Sequence, residues 1–358
     1  MSSSLRKYVK FILLLLFTVF IFWFFGRDLD WDQISESLRR ADPWYLGSAV
    51  LIICLGYFLR AVRWQVLLAP ITPSSLKELF ATTTVGFAAI FLIGRMGEIV
   101  RPMWLPMRDR RVRPSAALVT LGLERVFDMA ALVCFFAVNL LWLTPKPGNE
   151  SDFLLVEWIG WLMLLGVIMG FGALIVFQRK SSKVIDWMKR LTTRKWFPAR
   201  LQRILLSVLA RLSEALAILR DWRQTFWVSF WTFMLWLAIA VPTWLVLLAF
   251  DLPMTFSDAL FIMGFATVSS VVPTPGGAAG AFHVATANGL IFLGIARNDA
   301  FATSIAMHLV YFAPAVIFGL YYFFHGDISI ERFRSLLSSE NAEREIESDS
   351  PDFVPADS

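Results

Sequence analysis

Gly86-Phe87-Ala88-Ala89-Ile90-Phe91-Leu92-Ile93-Gly94-Arg95-Met96-Gly97-Glu98-Ile99-Val100-Arg101 is the stretch on which the reading of the fold turns. An apolar run that starts near residue 76 reaches Ile93 and is then cut by two glycines and by Arg95, Glu98 and Arg101. A run of that length approaches the ~20 residues that cross a ~30 Å hydrocarbon core. A charge at the bilayer centre costs roughly 2.5–3.5 kcal/mol on insertion scales, so charges there need partners or a task. Whether this segment crosses or turns back depends on its flanks.

The rest of the chain is built for a membrane. Of 358 residues, 57% are hydrophobic and 17% charged, with a mean hydropathy of +0.63. A soluble domain holds about 45–50% apolar and about 25% charged residues. Six blocks have the length and composition of full spans: 8–25, 44–68, 115–143, 154–177, 226–250 and 300–324. Two further apolar stretches, 76–94 and 258–295, are broken by Gly, Pro or charge. The first block follows Arg6, Lys7 and Lys10 but is too long for a signal-peptide core and lacks a small-residue cleavage site, so it reads as a retained span. Cys54 and Cys134 sit inside apolar blocks, so no structural disulfide is expected. With three histidines and no Cys/His cluster, no structural metal and no cofactor is expected. No nucleotide-binding motif is present, and no nucleic-acid partner is expected.

Basic residues favour the cytoplasmic side. The N-terminus, the six arginines of 95–113 and the twelve Lys or Arg of 179–223 belong inside, and the base-poor links 144–153 and 251–257 belong outside. Both termini are then cytoplasmic, in the inner membrane of the cell. The second span ends inside, and 95–113 is also inside, so 76–94 enters and returns from the cytoplasmic face; 258–295 does so from the opposite face. Non-helical backbone at membrane depth survives where protein or a watery cavity shelters it. On the sequence alone, plain spanning by 76–94 and by each half of 258–295 stays open. Gly86-Phe87-Ala88 matches Gly264-Phe265-Ala266, and Ala117, Thr120 and Arg125 fall opposite Ala300, Thr303 and His308 in the same order. The expected fold is an all-α polytopic membrane helix bundle, about six full spans with two broken or re-entrant segments, its halves related as an inverted repeat of the kind that flanks midplane sites in transporters. Residues 1–324 form the membrane domain, with 179–223 as basic helices on the cytoplasmic surface that anionic headgroups attract. Residues 325–358, with nine acids against three arginines, read as a disordered cytoplasmic tail.

Three clusters carry candidate chemistry. Arg95, Glu98 and Arg101 are spaced by three and would share one face of a helix. Glu124 and Asp128 lie one turn apart deep in a span, with Arg125 beside them; burying two acids calls for cations from the first cluster. Pro273-Thr274-Pro275-Gly276-Gly277, followed by His283, combines missing amides with permissive backbone, and a helix starting near Gly277 offers free N–H groups to an anion. His283 and His308 add titratable groups. Arg60 and Arg63 read as snorkelling side chains at the cytoplasmic end of the second span. For the first two clusters a purely structural salt-bridge network is the competing reading, and for the third a simple helix break.

Leu59-Arg60-Ala61-Val62-Arg63-Trp64, Gly94-Arg95-Met96-Gly97-Glu98 with Arg101, Glu124-Arg125 with Asp128, and Pro273-Thr274-Pro275-Gly276-Gly277 together resemble, in order, the integral-membrane domain of the lysylphosphatidylglycerol synthase, or flippase-like, family. The resemblance covers about residues 8–324. It implies a polytopic domain that moves lipids across the membrane or stands beside enzymes that act on them. The synthases of that family add a soluble aminoacyl-transfer domain, whereas this sequence runs on into the acidic tail, so lysyl transfer is not expected. Family members often carry an acid where His283 stands, which bears on proton coupling.

The expected function is therefore that of a lipid translocase, not an enzyme. Its substrate is an anionic phospholipid or lipid-linked headgroup, contacted by Arg95, Glu98, Arg101, Glu124, Arg125, Asp128, Pro273, Pro275, Gly276, Gly277, His283 and His308. The alternative is a membrane enzyme, or an accessory subunit, in phospholipid or lipid-linked sugar modification. Membrane lipids are the expected partners; a lipid-modifying enzyme or a second copy of the chain is compatible with the same sequence.

Overall fold

The computed structural model describes residues 30–140, 150–192, 206, 221–269 and 275–325. Among them are ten α-helices, one 3-10 helix and no strand. Helix α1 is Trp31–Arg40, α2 Pro43–Leu68 and α3 Leu76–Ile93; the 3-10 helix Gly94–Ile99 leads into α4, Val100–Arg108. Then follow α5 Pro114–Leu140, α6 Glu150–Thr192, α7 Trp222–Ala249, α8 Phe256–Ser269, α9 Pro275–Phe292 and α10 Arg297–Phe324. The first span (8–25), the tail beyond His325, most of 193–220 and Pro273 lie outside the described residues.

Local chemistry starts the helices where they are found. Asp30 accepts the amides of Asp32 and Gln33, Asp42 accepts that of Trp44 with Pro43 at the first helical position, and Asp221 accepts that of Arg223. The helices α3 and α8 share a device: Ser75 Oγ accepts the Glu78 amide at 3.3 Å, and Thr255 Oγ1 accepts the Asp258 amide at 3.2 Å while Asp258 takes the Thr255 amide at 2.8 Å.

Helices α2, α7 and α10, of 26, 28 and 28 residues, are long and apolar enough to cross a membrane. At 1.5 Å per residue each spans roughly 40 Å, more than the ~30 Å hydrocarbon core. The protein is a membrane protein with transmembrane helices. Helices α2 and α7 form an antiparallel pair: the Asp42 amide donates to the Ala249 carbonyl at one end (2.8 Å), and Gln224 Nε2 donates to the Val66 carbonyl at the other (2.9 Å). Helix α10 starts at the end where α2 starts, since Asn298 donates to Gln33 and Asp299 accepts from Ser37, both on α1. Helix α5 runs the length of the bundle, from Thr120 beneath Trp64 to Asn139, which donates to the Ser257 carbonyl. The first limb of α6 runs back, from Gly160 against Leu140 to Phe177 against Leu67 and Val228, and it bends at Lys180.

Two helical hairpins complete the bundle. In the first, α3 and α4 are closed at the base by an ion pair between Glu78 and Arg108 and by Leu79 packing with Leu105, beside Leu68 and Val112. In the second, Phe261 near the start of α8 stacks on Phe292 at the end of α9 (5.6 Å between centroids). The first base sits where α2 and α10 end: Phe80 packs edge-on against Tyr322. The second base sits where α5 ends, through Ser257 and Asn139. The hairpins thus enter from opposite ends. Their inner parts meet: the 3-10 helix packs against α9, and Phe91 of α3 lies 5.8 Å from His308, whose other neighbours include Phe282 and His283 of α9. Gly86-Phe87-Ala88 and Gly264-Phe265-Ala266 fall in the first arms of the two hairpins.

The first tip depends on two glycines. Gly94 has φ 71° and ψ −155°, a region that essentially only glycine occupies. Gly97 lies against the α3 backbone, so that a Cβ there would overlap the Ile90 nitrogen and the Ala89 carbonyl. The backbone of a packed helix cannot yield as a side chain would. Gly97→Ala is expected to destabilise the protein by at least about 2–3 kcal/mol, read as a lowered melting temperature in detergent; an unchanged value would show that the turn is free to move off α3.

Candidate functional site

The charges of the interior converge on one point between α2, α4, α5 and α7. Helix α5 buries Ala117, Thr120, Leu123, Glu124, Phe127 and Asp128 on one face and turns Leu118, Gly122, Arg125 and Met129 outward. This is ordinary helical spacing, with positions three and four apart sharing a face. It separates Arg125 from its neighbour Glu124: the acid points into the bundle and the arginine lies on the outer face. Glu124 is ten residues into α5, roughly 15 Å from its start at 1.5 Å per residue.

Two arginines meet the two acids. Arg63 of α2 donates to both Asp128 oxygens, at 2.5 and 3.2 Å, and to Thr232 Oγ1 of α7 at 3.2 Å; its Nη2 lies 3.6 Å from Glu124. Arg101 of α4 donates to both Glu124 oxygens, at 2.9 and 3.3 Å, and to Thr83 Oγ1 of α3 at 3.5 Å. Such two-pronged pairs fix orientation as well as charge. The Arg101 guanidinium also lies 4.4 Å over the Trp64 ring, and Trp64 Nε1 donates to Thr120 Oγ1 at 3.0 Å. Arg63 and Glu124 are fully buried and Arg101 is 1% exposed. Arg101 reaches its place because Gly86, across the hairpin, has no side chain: a Cβ there would occupy the space of the Arg101 stem.

The sequence-based expectations divide accordingly. The second cluster does take a cation from the first, through Arg101 and Glu124. Arg95, Glu98 and Arg101 do not share one α-helical face, because the two glycines break the helix. Arg95 and Glu98 lie in the 3-10 helix and Arg101 in α4. Glu98 is half-buried and forms no ion pair among the described residues; the Arg95 side chain lies outside the described ones. Arg63 does not snorkel. It is the centre of the network, and the spacing Arg60-x-x-Arg63 next to two acids in need of two cations was the available signal. Thr232 carried no such signal.

The second hairpin brings His283 and His308 together, 4.9 Å between ring centroids, both buried. His283 Nδ1 lies 3.3 Å from Ser304 Oγ. Helix α9 begins at Pro275, with Gly276 and Gly277 in its first turn, and Ala278 has φ 62°, strained for a residue with a side chain. An aromatic layer separates the histidines from the arginines: Phe282 packs on His308 and Tyr311, Tyr57 Oη donates to the Tyr311 carbonyl at 2.8 Å, and Tyr57 packs edge-on to Phe87. At the hairpin base, outside the spans, Asp109 accepts from Ser74 Oγ and from two nitrogens of Arg111, each at 2.9 Å, and the arginine holds its carboxyl below the usual carboxylate range. Among the described residues no His/Cys/Asp/Glu group could hold a metal ion.

Two comparisons bear on this arrangement. The family described as the lysylphosphatidylglycerol synthase TM region matches residues 11–319. A UPF0104 membrane protein of Pyrococcus horikoshii is 21% identical over 323 residues, covering 85% of this chain and 91% of that protein.

Removing one partner from a buried ion pair leaves a charge with nothing to meet it and costs about 3–5 kcal/mol, while removing both is far milder. Arg63→Gln is expected to lower the melting temperature in detergent sharply. Arg101→Gln combined with Glu124→Gln is expected to lower it less than either change alone, and additive losses would overturn the pairing.

Proposed function

The chain belongs to the family of the lysylphosphatidylglycerol synthase transmembrane region, and on that premise we propose that it is a lipid translocase that moves an anionic phospholipid or lipid-linked headgroup across the cytoplasmic membrane. One observation carries the reading: two helical hairpins enter a spanning bundle from opposite ends and meet beside buried charges. Broken helices that meet inside the bilayer are how transporters expose a polar site to either face in turn.

On this reading both hairpins are re-entrant, and the halves α2–α5 and α7–α10 form an inverted repeat around about six full spans. The end that carries Arg108, Arg110, Arg111 and Arg113 faces the cytoplasm, as do both termini. Arg95 neutralises the headgroup, while Arg101 stays paired with Glu124. Glu124 and Asp128 hold the arginines. The first turn of α9, at Gly276 and Gly277, supplies amides, and His283 and His308 exchange protons with the site. Arg125, on the outer face, guides lipid from the bilayer toward the hairpins.

The family's description names a synthase region, and this favours a second reading, in which the chain serves an enzyme that modifies a lipid. Headgroup turnover by the purified protein, with no transfer between leaflets, would establish it.

The test of the first reading is leaflet transfer of a labelled phosphatidylglycerol in proteoliposomes made with the full chain. Transfer is expected for the wild type, and Arg95→Ala is expected to slow it about tenfold, the loss of one charge-assisted contact of ~1.4 kcal/mol. Arg125→Ala is expected to slow it less. Unaltered transfer in both variants would remove these arginines from the site.

A further inference from the structure

Among the described residues, the ion network that joins α2, α4 and α5 is one positive charge in excess. Three guanidiniums, those of Arg60, Arg63 and Arg101, stand against two carboxylates, Glu124 and Asp128. Both carboxylates are engaged through both oxygens, Asp128 by Arg63 and Glu124 by Arg101. Arg60, one turn before Arg63 on α2, takes neither a hydrogen bond nor an ion pair among the described residues. Its guanidinium lies over a ring instead, 4.8 Å from the centroid of Phe87, and Phe87 also flanks Arg101 at 5.9 Å. The charged and titratable groups acting on it are Asp128, Arg63, Tyr57 and Arg125. Arg60 is half-buried, whereas Arg63 and Arg101 are sealed in. It lies eight residues from the end of α2, roughly 12 Å below that end at 1.5 Å per residue.

We propose that Arg60 receives the oxyanion of the transported headgroup, and that Arg63 and Arg101 are positioning residues that hold the acids. This rests on the translocase reading. A guanidinium carries five N–H donors in a planar fork that matches two oxygens of a phosphate. Those of Arg60 are uncommitted among the described residues, and the Phe87 ring holds the cation in place without consuming them. A ring face contributes ~0.5–1 kcal/mol at exposed sites and more when desolvated, so it retains the cation without competing for the anion. One uncompensated positive charge suits a group with one negative charge, the phosphodiester of a phospholipid. The same chemistry fits free phosphate, and the two sources separate by experiment.

The full chain in non-ionic detergent is titrated with phosphatidylglycerol and, separately, with inorganic phosphate. Retained lipid is read by native mass spectrometry and anion binding by thermal shift. Arg60→Gln is expected to bind phosphatidylglycerol about tenfold more weakly, one charge-assisted bidentate contact, with the melting temperature of the lipid-free protein lowered far less than by Arg63→Gln because only the ring contact and no ion pair is lost. Arg60→Lys, which keeps the charge and loses the fork, is expected to fall between the two. Retention of phosphatidylglycerol by Arg60→Gln at the wild-type level overturns the proposal and leaves the translocase reading standing. A wild type that binds no phosphatidylglycerol, yet is stabilised by inorganic phosphate in a way that Arg60→Gln abolishes, keeps the anion site at Arg60 and overturns its lipid source. A wild type that binds neither overturns both.

Discussion

The interior of this protein is organised by the rule that a charge inside hydrocarbon must meet its opposite. Arg63 and Arg101 reach Asp128 and Glu124 from two different helices, and the contacts extend to Thr232 on α7 and Thr83 on α3. Five helices are therefore tied at one level. Apolar packing alone gives little preference between helix arrangements in lipid, because lipid tails are as apolar as leucine. The charged pairs fix which faces of α2, α4 and α5 look inward. The orientation of α5 follows from them: with Glu124 and Asp128 inward, Arg125 is carried to the outer face.

Turning a helix back inside the bundle is the second demand, and the backbone meets it at the first hairpin tip. A return needs φ and ψ values that side chains obstruct and a close approach to the helix just left. Gly94 supplies the first and Gly97 the second. Because the turn is tight, α4 returns beside α3, and Arg101 lies against Gly86 with Glu124 within reach. The buried charges and the turn chemistry are consequently one construction: lengthening the tip would withdraw the arginine from its acid. His283 of the second hairpin meets His308 of α10, and the aromatic layer of Tyr57, Phe87, Phe282 and Tyr311 separates the two polar centres.

What the sequence alone determined is what depends on composition and local spacing. Apolar blocks located the spanning helices α2, α7 and α10, the glycines and charges located the broken segments, and the need of two buried acids for cations led from the Glu124–Asp128 cluster to the cluster of Arg95, Glu98 and Arg101. Helix starts were also written locally, in Asp30, Asp42, Ser75 and Thr255. Only the tertiary structure decided which arginine meets which acid. Arg60 and Arg63 are three residues apart with the same chemistry, yet one is locked between Asp128 and Thr232 and the other rests on Phe87. A one-residue step along a helix turns a side chain by about 100°, and what it then meets is set by neighbours from distant parts of the chain. Arg125 was displaced from the site for the same reason, since nothing within its own segment says which face will find a partner.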